Sequence, residues 1–277
     1  MSGIIIIENG SSIIVSNGGI LSLGPSGPMT YESLILQDGP IAYWRAGESS
    51  GPTLADSSGN GFTATENGAP MRYGEPGLIS GASDNDGAVG GNNALADHWN
   101  FGQSSILEPT KTVSIECWCK PPNVNEALIQ YASGSTLDFS GYKLIYGFNV
   151  GTFRFYLGTV DGPNQNTAGN AYLQGNVFPA GSIYHVVGTY TSGSRILYVN
   201  GVLDASDTKT GDIKYTPVSG QAPGGLIGNE YNNGSLQGPQ PATALEGIVD
   251  ELAIYDRVLT PTEVLNHYNA GAFGIFP

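Results

Sequence analysis

The chain has 277 residues, with 24 acidic against 10 basic side chains, a formal charge of −14 and only 12% charged residues overall. That balance excludes a broad footprint for nucleic acid or anionic lipid, and a hydrophobic content of 40% excludes a disordered chain. Glycine (41) and proline (17) are frequent enough to suggest short strands joined by tight turns, in one large all-β domain or two small ones.

Residues 1–30 differ from the rest. Ile4 to Ile7, Ile13 to Val15 and Ile20 to Leu23 are short apolar β runs separated by Asn9-Gly10 and Asn17-Gly18-Gly19, pairs that readily supply the positive φ of hairpin turns. A strand of four isoleucines left in water becomes an edge for association. Ile4, Ile5, Ile6, Ile7, Ile13 and Ile14 are therefore expected either to pack on their own domain or, as an assembly arm, to dock on another subunit. Gly24 to Pro28 reads as a linker, which sets an arm at 1–30 against a domain at 31–277. The stretch Met1 to Glu8 lacks the basic region and long apolar run of a secretory signal, and no apolar run approaches the ~20 residues that span a bilayer. The expectation is a soluble protein made in the cytoplasm, with no membrane insertion.

From residue 31 strands are expected at Leu34 to Leu36, Ile41 to Trp44, Val113 to Cys119, Leu128 to Tyr131, Tyr142 to Phe148 and Phe153 to Leu157. In the last of these Phe153, Phe155 and Leu157 alternate with Arg154 and Tyr156, giving one buried and one wetter face. Cys117 and Cys119 point to the same side of one strand, poor geometry for a disulfide, and read as small buried hydrophobes. Loops are expected at Asp84 to Gly87, at Gly90 to Asn93 and from Val160 to Asn170. Further strands at Ile183 to Tyr190 and Ile196 to Val199 lead through an Asn200-Gly201 turn into Val202-Leu203, and Ser219 to Thr243 reads as a second polar loop.

The closing segment is a strand running into a capped helix. Alternation places Ile248, Asp250, Leu252 and Ile254 on one face, and Thr260-Pro261-Thr262-Glu263 supplies an N-cap, a helix-first proline and a capping-box glutamate. Asp250 on an apolar face must meet charge or hydrogen bonds. It is either an acid that anchors backbone or a cation ligand.

This segment resembles the end of the laminin G-like branch of the concanavalin A-like jelly rolls. So, in the same order, do Pro40 to Glu48, Asp56-Ser-Ser-Gly-Asn60, Thr112 to Lys120, Tyr184 to Tyr190 and Arg195 to Leu203. The resemblance covers roughly residues 31 to 271 and implies an all-β jelly-roll sandwich with a short N-terminal β arm and one short C-terminal helix. It also implies one structural Ca²⁺ held by Glu48 and Asp250, with Asp56 and Asn60 as neighbouring alternatives; hard oxygen ligands from loops suit that ion. The competing reading has Asp56 in an Asx-turn and Asp250 accepting backbone amides.

No catalytic arrangement emerges. The acid-x-acid-x-x-acid strand of the sandwich glycosidases is missing: Glu116 has Trp118 two positions on, and reads as a partly exposed strand residue. His185 lies mid-strand and reads as structural, His267 sits on the terminal helix, and no serine occupies a nucleophile elbow. The expectation is a non-enzymatic protein. The resemblance extends to the openings of phage-encoded laminin G-like proteins, so the first reading is a virion structural subunit of a tailed phage, a capsid decoration, cement or fibre-like protein that contacts other virion subunits and forms a homo-oligomer. The alternative is an extracellular or surface-displayed module for cell-surface glycans, with Trp99 and Tyr231 as leading stacking faces beside Tyr146, Tyr156 and Tyr172.

Overall fold

The computed structural model describes residues 13–14, 22–23, 29–68, 70–81, 87–92, 97–122, 124–135, 138–147, 151–161, 171–216, 222–230 and 243–277. In chain order the elements are β1 (Ile13–Ile14), β2 (Ser22–Leu23), α1 (Tyr31–Gln37), β3 (Ala42–Trp44), β4 (Thr53–Leu54), β5 (Ala64–Asn67), β6 (Arg72–Glu75), β7 (Ala88–Gly90) and β8 (His98–Gly102). There follow β9 (Thr112–Lys120), β10 (Glu126–Ser135), β11 (Asp138–Gly147), β12 (Thr152–Leu157), β13 (Tyr172–Val177), β14 (Tyr184–Thr191), β15 (Ser194–Val199), β16 (Val202–Asp207), β17 (Gly224–Ile227), β18 (Ile248–Tyr255) and α2 (Pro261–Phe273).

Two antiparallel eight-stranded sheets face each other. Sheet I runs β16-β15-β14-β9-β18-β7-β6, with β3 also paired to β18, and sheet II runs β13-β12-β11-β10-β17-β8-β5-β4. Alternating side chains from both inner faces form the main core: Val113, Ile115, Cys117 and Cys119 from β9 meet Phe153, Phe155 and Leu157 from β12 and Leu144 and Tyr146 from β11. Both cysteines are buried there as free thiols. The expected jelly-roll sandwich is the fold observed.

A second, smaller core lies outside sheet I, where α1 and α2 cover it. Tyr31, Leu34 and Ile35 of α1 and Val264 and Ala270 of α2 pack with Trp118, Val187, Ala253 and Tyr255. The expected strand Leu34 to Leu36 is instead part of α1. The reason is the start signal at Thr30, whose hydroxyl accepts from the Ser33 amide at 3.1 Å while Ser33 Oγ accepts from the Thr30 amide at 2.8 Å. Helix α2 starts as expected, with Thr260 and Glu263 exchanging the same reciprocal bonds and Pro261 in the first turn.

Two further corrections concern backbone geometry. The alternation along β18 breaks at Glu251, which adopts φ +50 and shifts the register between Asp250 and Ala253. Val249, Leu252 and Ile254 consequently face the main core, while Asp250 sits opposite Trp118 on the other side. The stretch Ser219 to Thr243, expected to be loop, contains β17, which lies between β10 and β8. Glycine is required there because a Cβ at Gly225 would overlap the Phe101 ring. The Asn200-Gly201 turn behaves as expected, with φ +53 and +76 and Val199 paired to Val202.

Candidate functional site

The four residues expected to share a cation are not gathered around one. Asp56 accepts from the Tyr43, Ser58 and Phe62 amides at 3.0, 2.9 and 2.8 Å, so both its oxygens serve an Asx-turn and a strand junction. Glu48 Oε1 accepts from the Ala55 amide at 2.7 Å, and Asn60 Nδ2 donates to the Ile41 carbonyl at 3.0 Å. Asp250 lies outside sheet I and accepts from the Leu78 amide at 2.8 Å. Among the described residues no group of three or more His, Cys, Asp or Glu side chains is placed to hold a metal ion. Through these bonds the three carboxylates act as backbone anchors.

Of the expected stacking faces, Trp99 is corrected by its burial. It is 0% exposed on the inner face of sheet II, with its indole N–H donating to the Tyr73 hydroxyl at 2.8 Å, so it presents no ring face to a ligand in solvent. Tyr146 also points inward and donates to the Phe178 carbonyl. Tyr231 and Ile4, Ile5, Ile6 and Ile7 lie outside the described residues. Ile13–Ile14 pairs with Ser22–Leu23.

Tyr156 and Tyr172 lie on the outer face of sheet II, where strand pairing lines up one row. Tyr172 is opposite Tyr156, Tyr156 opposite Lys143, Lys143 opposite Gln130, Gln130 opposite Leu226, Leu226 opposite Asn100, and Asn100 opposite Thr65. The Lys143 ammonium is 4.4 Å from the Tyr156 ring centroid and 5.2 Å from that of Phe139, and it pairs with the Glu230 carboxylate. Beside it Gln130 is 1% exposed and its Nε2 has no partner among the described residues. The half-buried end of the row carries Arg154, whose guanidinium lies 4.4 Å from the Tyr172 ring centroid and donates through Nε to Gln174 Oε1 at 2.8 Å. Tyr156, Gln130 and Lys143 are 1%, 1% and 6% exposed and lie beneath this face, so the groups that reach solvent are Tyr172, Arg154 and Gln174, a set able to pack against sugar C–H groups and bond hydroxyls.

A second polar cluster, which the sequence did not disclose, lies outside sheet I. Glu116 is 0% exposed, not a partly exposed strand residue. Its Oε2 is 3.0 Å from both His185 Nε2 and His267 Nδ1, and its Oε1 accepts from the Tyr255 hydroxyl. His267 Nε2 continues to Asp38 Oδ2 at 2.8 Å, and Arg257 pairs with the same carboxylate at 2.9 Å. Burial works against charge on His267, but the Glu116 and Asp38 carboxylates outweigh it and lift its pKa to about 9. Burial likewise opposes charge on Glu116, yet the His267 charge and the two imidazole hydrogen bonds hold it well below the usual carboxylate range. His185 is shifted down by burial, so it donates as a neutral ring. The signal available in sequence was parity: Glu116 and Trp118 share the face opposite Cys117, the face that α2 covers.

This cluster fastens layers together, with Glu116, His185 and His267 fully buried and Asp38 and Arg257 partly exposed at its rim. Trp118 donates to the Tyr31 hydroxyl at 2.8 Å and packs against both His185 and Tyr268, with centroids 5.0 and 5.9 Å away, while those two rings stack on each other at 6.5 Å. Gly271 is needed on α2 because a Cβ there would collide with the Trp118 ring.

The fold has many solved counterparts. A Trypanosoma rangeli sialidase complexed with 2,3-difluorosialic acid aligns with TM-score 0.54 and 14% identity over 84% of this chain and 33% of its own, so the chain spans about a third of that enzyme. The binding domain of Paraclostridial Mosquitocidal Protein 1 aligns with TM-score 0.54 and 14% identity over 85% of this chain and 53% of its own. Domain 4 of AbnA, a GH43 extracellular arabinanase from Geobacillus stearothermophilus, solved with arabinotriose, gives 0.53 and 19% over 83% of this chain and 98% of its own. No curated protein matches the sequence. The family model described as the concanavalin A-like lectin/glucanases superfamily, of the laminin G type, matches residues 79–265, more than half of the chain, and the protein is a member of that family.

Proposed function

We propose that the chain is a non-catalytic glycan-binding module that takes neutral oligosaccharides on the outer face of sheet II. The observation that carries this is the accessible group of Tyr172, Arg154 and Gln174, with the Arg154 guanidinium 4.4 Å from the Tyr172 ring centroid and the buried Tyr156, Lys143 and Gln130 supporting it from the neighbouring strands. A buried amide donor without a partner among the described residues, set beside aromatic rings and an ion pair, suits a hydroxyl-rich ligand. The charge of −14 argues against anionic polysaccharides. Support also comes from the AbnA domain, which was solved in complex with the neutral sugar arabinotriose. Glu230 sits mid-face but is neutralised by Lys143, which suits binding better than proton transfer. Presentation at a surface or outside the cell goes with this role. The virion-subunit reading rests on the sequence, through the apolar leader, the missing secretory signal, the acidic, glycine-rich sandwich without catalytic groups and the resemblance of its opening to phage-encoded proteins, and none of the proteins matched above is a virion component.

Calorimetric titration with neutral oligosaccharides, arabinotriose among them, tests the proposal. Binding that falls about tenfold in Tyr172→Ala, equal to about 1.4 kcal/mol, is expected. A panel with no binder, or binding indifferent to Tyr172 and Arg154, would reject this face. Turnover of any bound sugar that depends on Glu230 would reject the non-catalytic part.

A further inference from the structure

We propose that the sugar site extends along the edge strand β13, from Tyr172 past Gln174 to a pair formed by Asn176 and Asp204, so that its ligand is an extended chain of two or more neutral sugar units. This extension rests on the glycan-binding reading above, and adds to it a ligand length and a second polar subsite. Strand β13 ends sheet II, and among the described residues no strand pairs with its far side. Gln174 and Asn176 are exposed and Tyr172 is half-buried. Past Gln174 the pairing with β12 shifts register, which leaves Gly175 and Asn176 without partners on that strand. The Asn176 amide turns instead to Asp204 of β16, the edge strand of sheet I. Both carboxylate oxygens accept from that amide at 3.2 Å, and Oδ1 also accepts from Asn176 Nδ2 at 2.7 Å. Glycine lets the carboxylate lie this close to β13, since a Cβ at Gly175 would fall on it.

The chemistry of this row suits hydroxyl groups. A sugar hydroxyl both donates and accepts, so it is best met where donors and acceptors stand side by side. Arg154 takes Gln174 Oε1, which leaves the Gln174 Nε2 hydrogens as donors, while the Asp204 carboxylate keeps acceptor sites beyond those that Asn176 fills. Among the described residues no cation pairs with Asp204, so its charge repels an anionic ligand and leaves neutral hydroxyls as its donors. At ~3.3 Å per residue the strand from Tyr172 to Asn176 spans ~13 Å, more than one sugar ring covers. A single unit stacked on Tyr172 leaves the Asn176–Asp204 pair untouched. A chain laid parallel to β13 reaches both, and the second contact is then made within one bound ligand, at a high effective concentration.

The test titrates the full-length chain with arabinose and glucose oligosaccharides of one, two and three units, read by calorimetry and, for weak ligands, by NMR chemical shifts. In a series that binds, affinity is expected to rise at least about tenfold from one unit to three, and Asn176→Ala and Asp204→Ala are each expected to reduce that gain to about twofold. Tyr172→Ala should weaken ligands of every length. Gln174→Ala removes the middle donor without touching the Asp204 contact, and should also shrink the gain. A monosaccharide that binds as tightly as its trisaccharide, or a gain that survives all three of the Gln174, Asn176 and Asp204 substitutions, would overturn the extended site while leaving the Tyr172 site in place. No binding in either series or in a wider panel of neutral oligosaccharides would reject the glycan-binding reading itself, and this extension with it.

Discussion

The outer faces of the two sheets carry similar chemistry to opposite ends. Outside sheet I the charges form a closed chain, Arg257 to Asp38 to His267 to Glu116, with His185 and Tyr255 completing the shell of Glu116. Outside sheet II the Lys143–Glu230 pair neighbours an amide nitrogen with no described partner, and aromatic rings and a guanidinium reach a half-buried rim. A buried polar network completed by its own protein adds rigidity, whereas one left short of a partner can be completed by a ligand. Structural work falls to the first face, and the recognition proposed above to the second.

The largest effects should follow from breaking the sealed face. Glu116→Ala leaves the His267 imidazolium facing only Asp38 and is expected to destabilise the fold by about 3–5 kcal/mol in denaturant unfolding. Its pH dependence has a definite sign. His267, raised to about 9, contributes stability fully present below its unfolded value of 6.5 and lost as pH rises through 9. Glu116, lowered from 4.5, contributes stability present above that value and lost as pH falls further. The contribution of this cluster to stability should therefore be greatest at about pH 5–6.5 and decline to alkaline pH, and His267→Gln should flatten the alkaline limb of the melting temperature.

A second buried carboxylate sharpens the comparison. Glu126 is 0% exposed and accepts from the Gly247 amide at 2.9 Å, yet burial raises its pKa to about 8, since no imidazolium meets it as His267 meets Glu116. A raised carboxyl stabilises the fold below 4.5 and loses that contribution as pH climbs through 8. Glu126→Gln should thus raise stability, by on the order of 3 kcal/mol at pH 8 and hardly at all at pH 4. Smaller still, Tyr172→Ala and Arg154→Ala on the recognition face should each change stability by under about 1 kcal/mol while weakening sugar binding about tenfold.

What the sequence disclosed and what it withheld divide along the same physical line. Elements specified by local chemistry were legible: the capped start of α2, the Asn200-Gly201 hairpin and the alternating strands β9 and β12 all stand where the pattern puts them. Features that depend on a distant partner were not. Glu251 adopts positive φ without being glycine, held by the Tyr43 hydroxyl of β3 and by Arg45 just after it, far earlier in the chain. Gly224-Gly225 resembles a turn until Phe101 is known to press against it. His185 and His267 lie 69 and 151 positions from Glu116, so nothing local joins them. The recognition row draws its side chains from separate strands, and only the sheet register makes it one surface. Trp99 failed as a platform for the same reason, because strand parity turns it into the core.

The most direct test of the recognition face is titration calorimetry of wild type, Tyr172→Ala and His267→Gln against the tightest neutral oligosaccharide from a panel screen. The account predicts affinity reduced about tenfold in Tyr172→Ala with stability retained, and stability reduced in His267→Gln with affinity retained below its unfolding transition. Sugar affinity that falls with His267→Gln and survives Tyr172→Ala would contradict it.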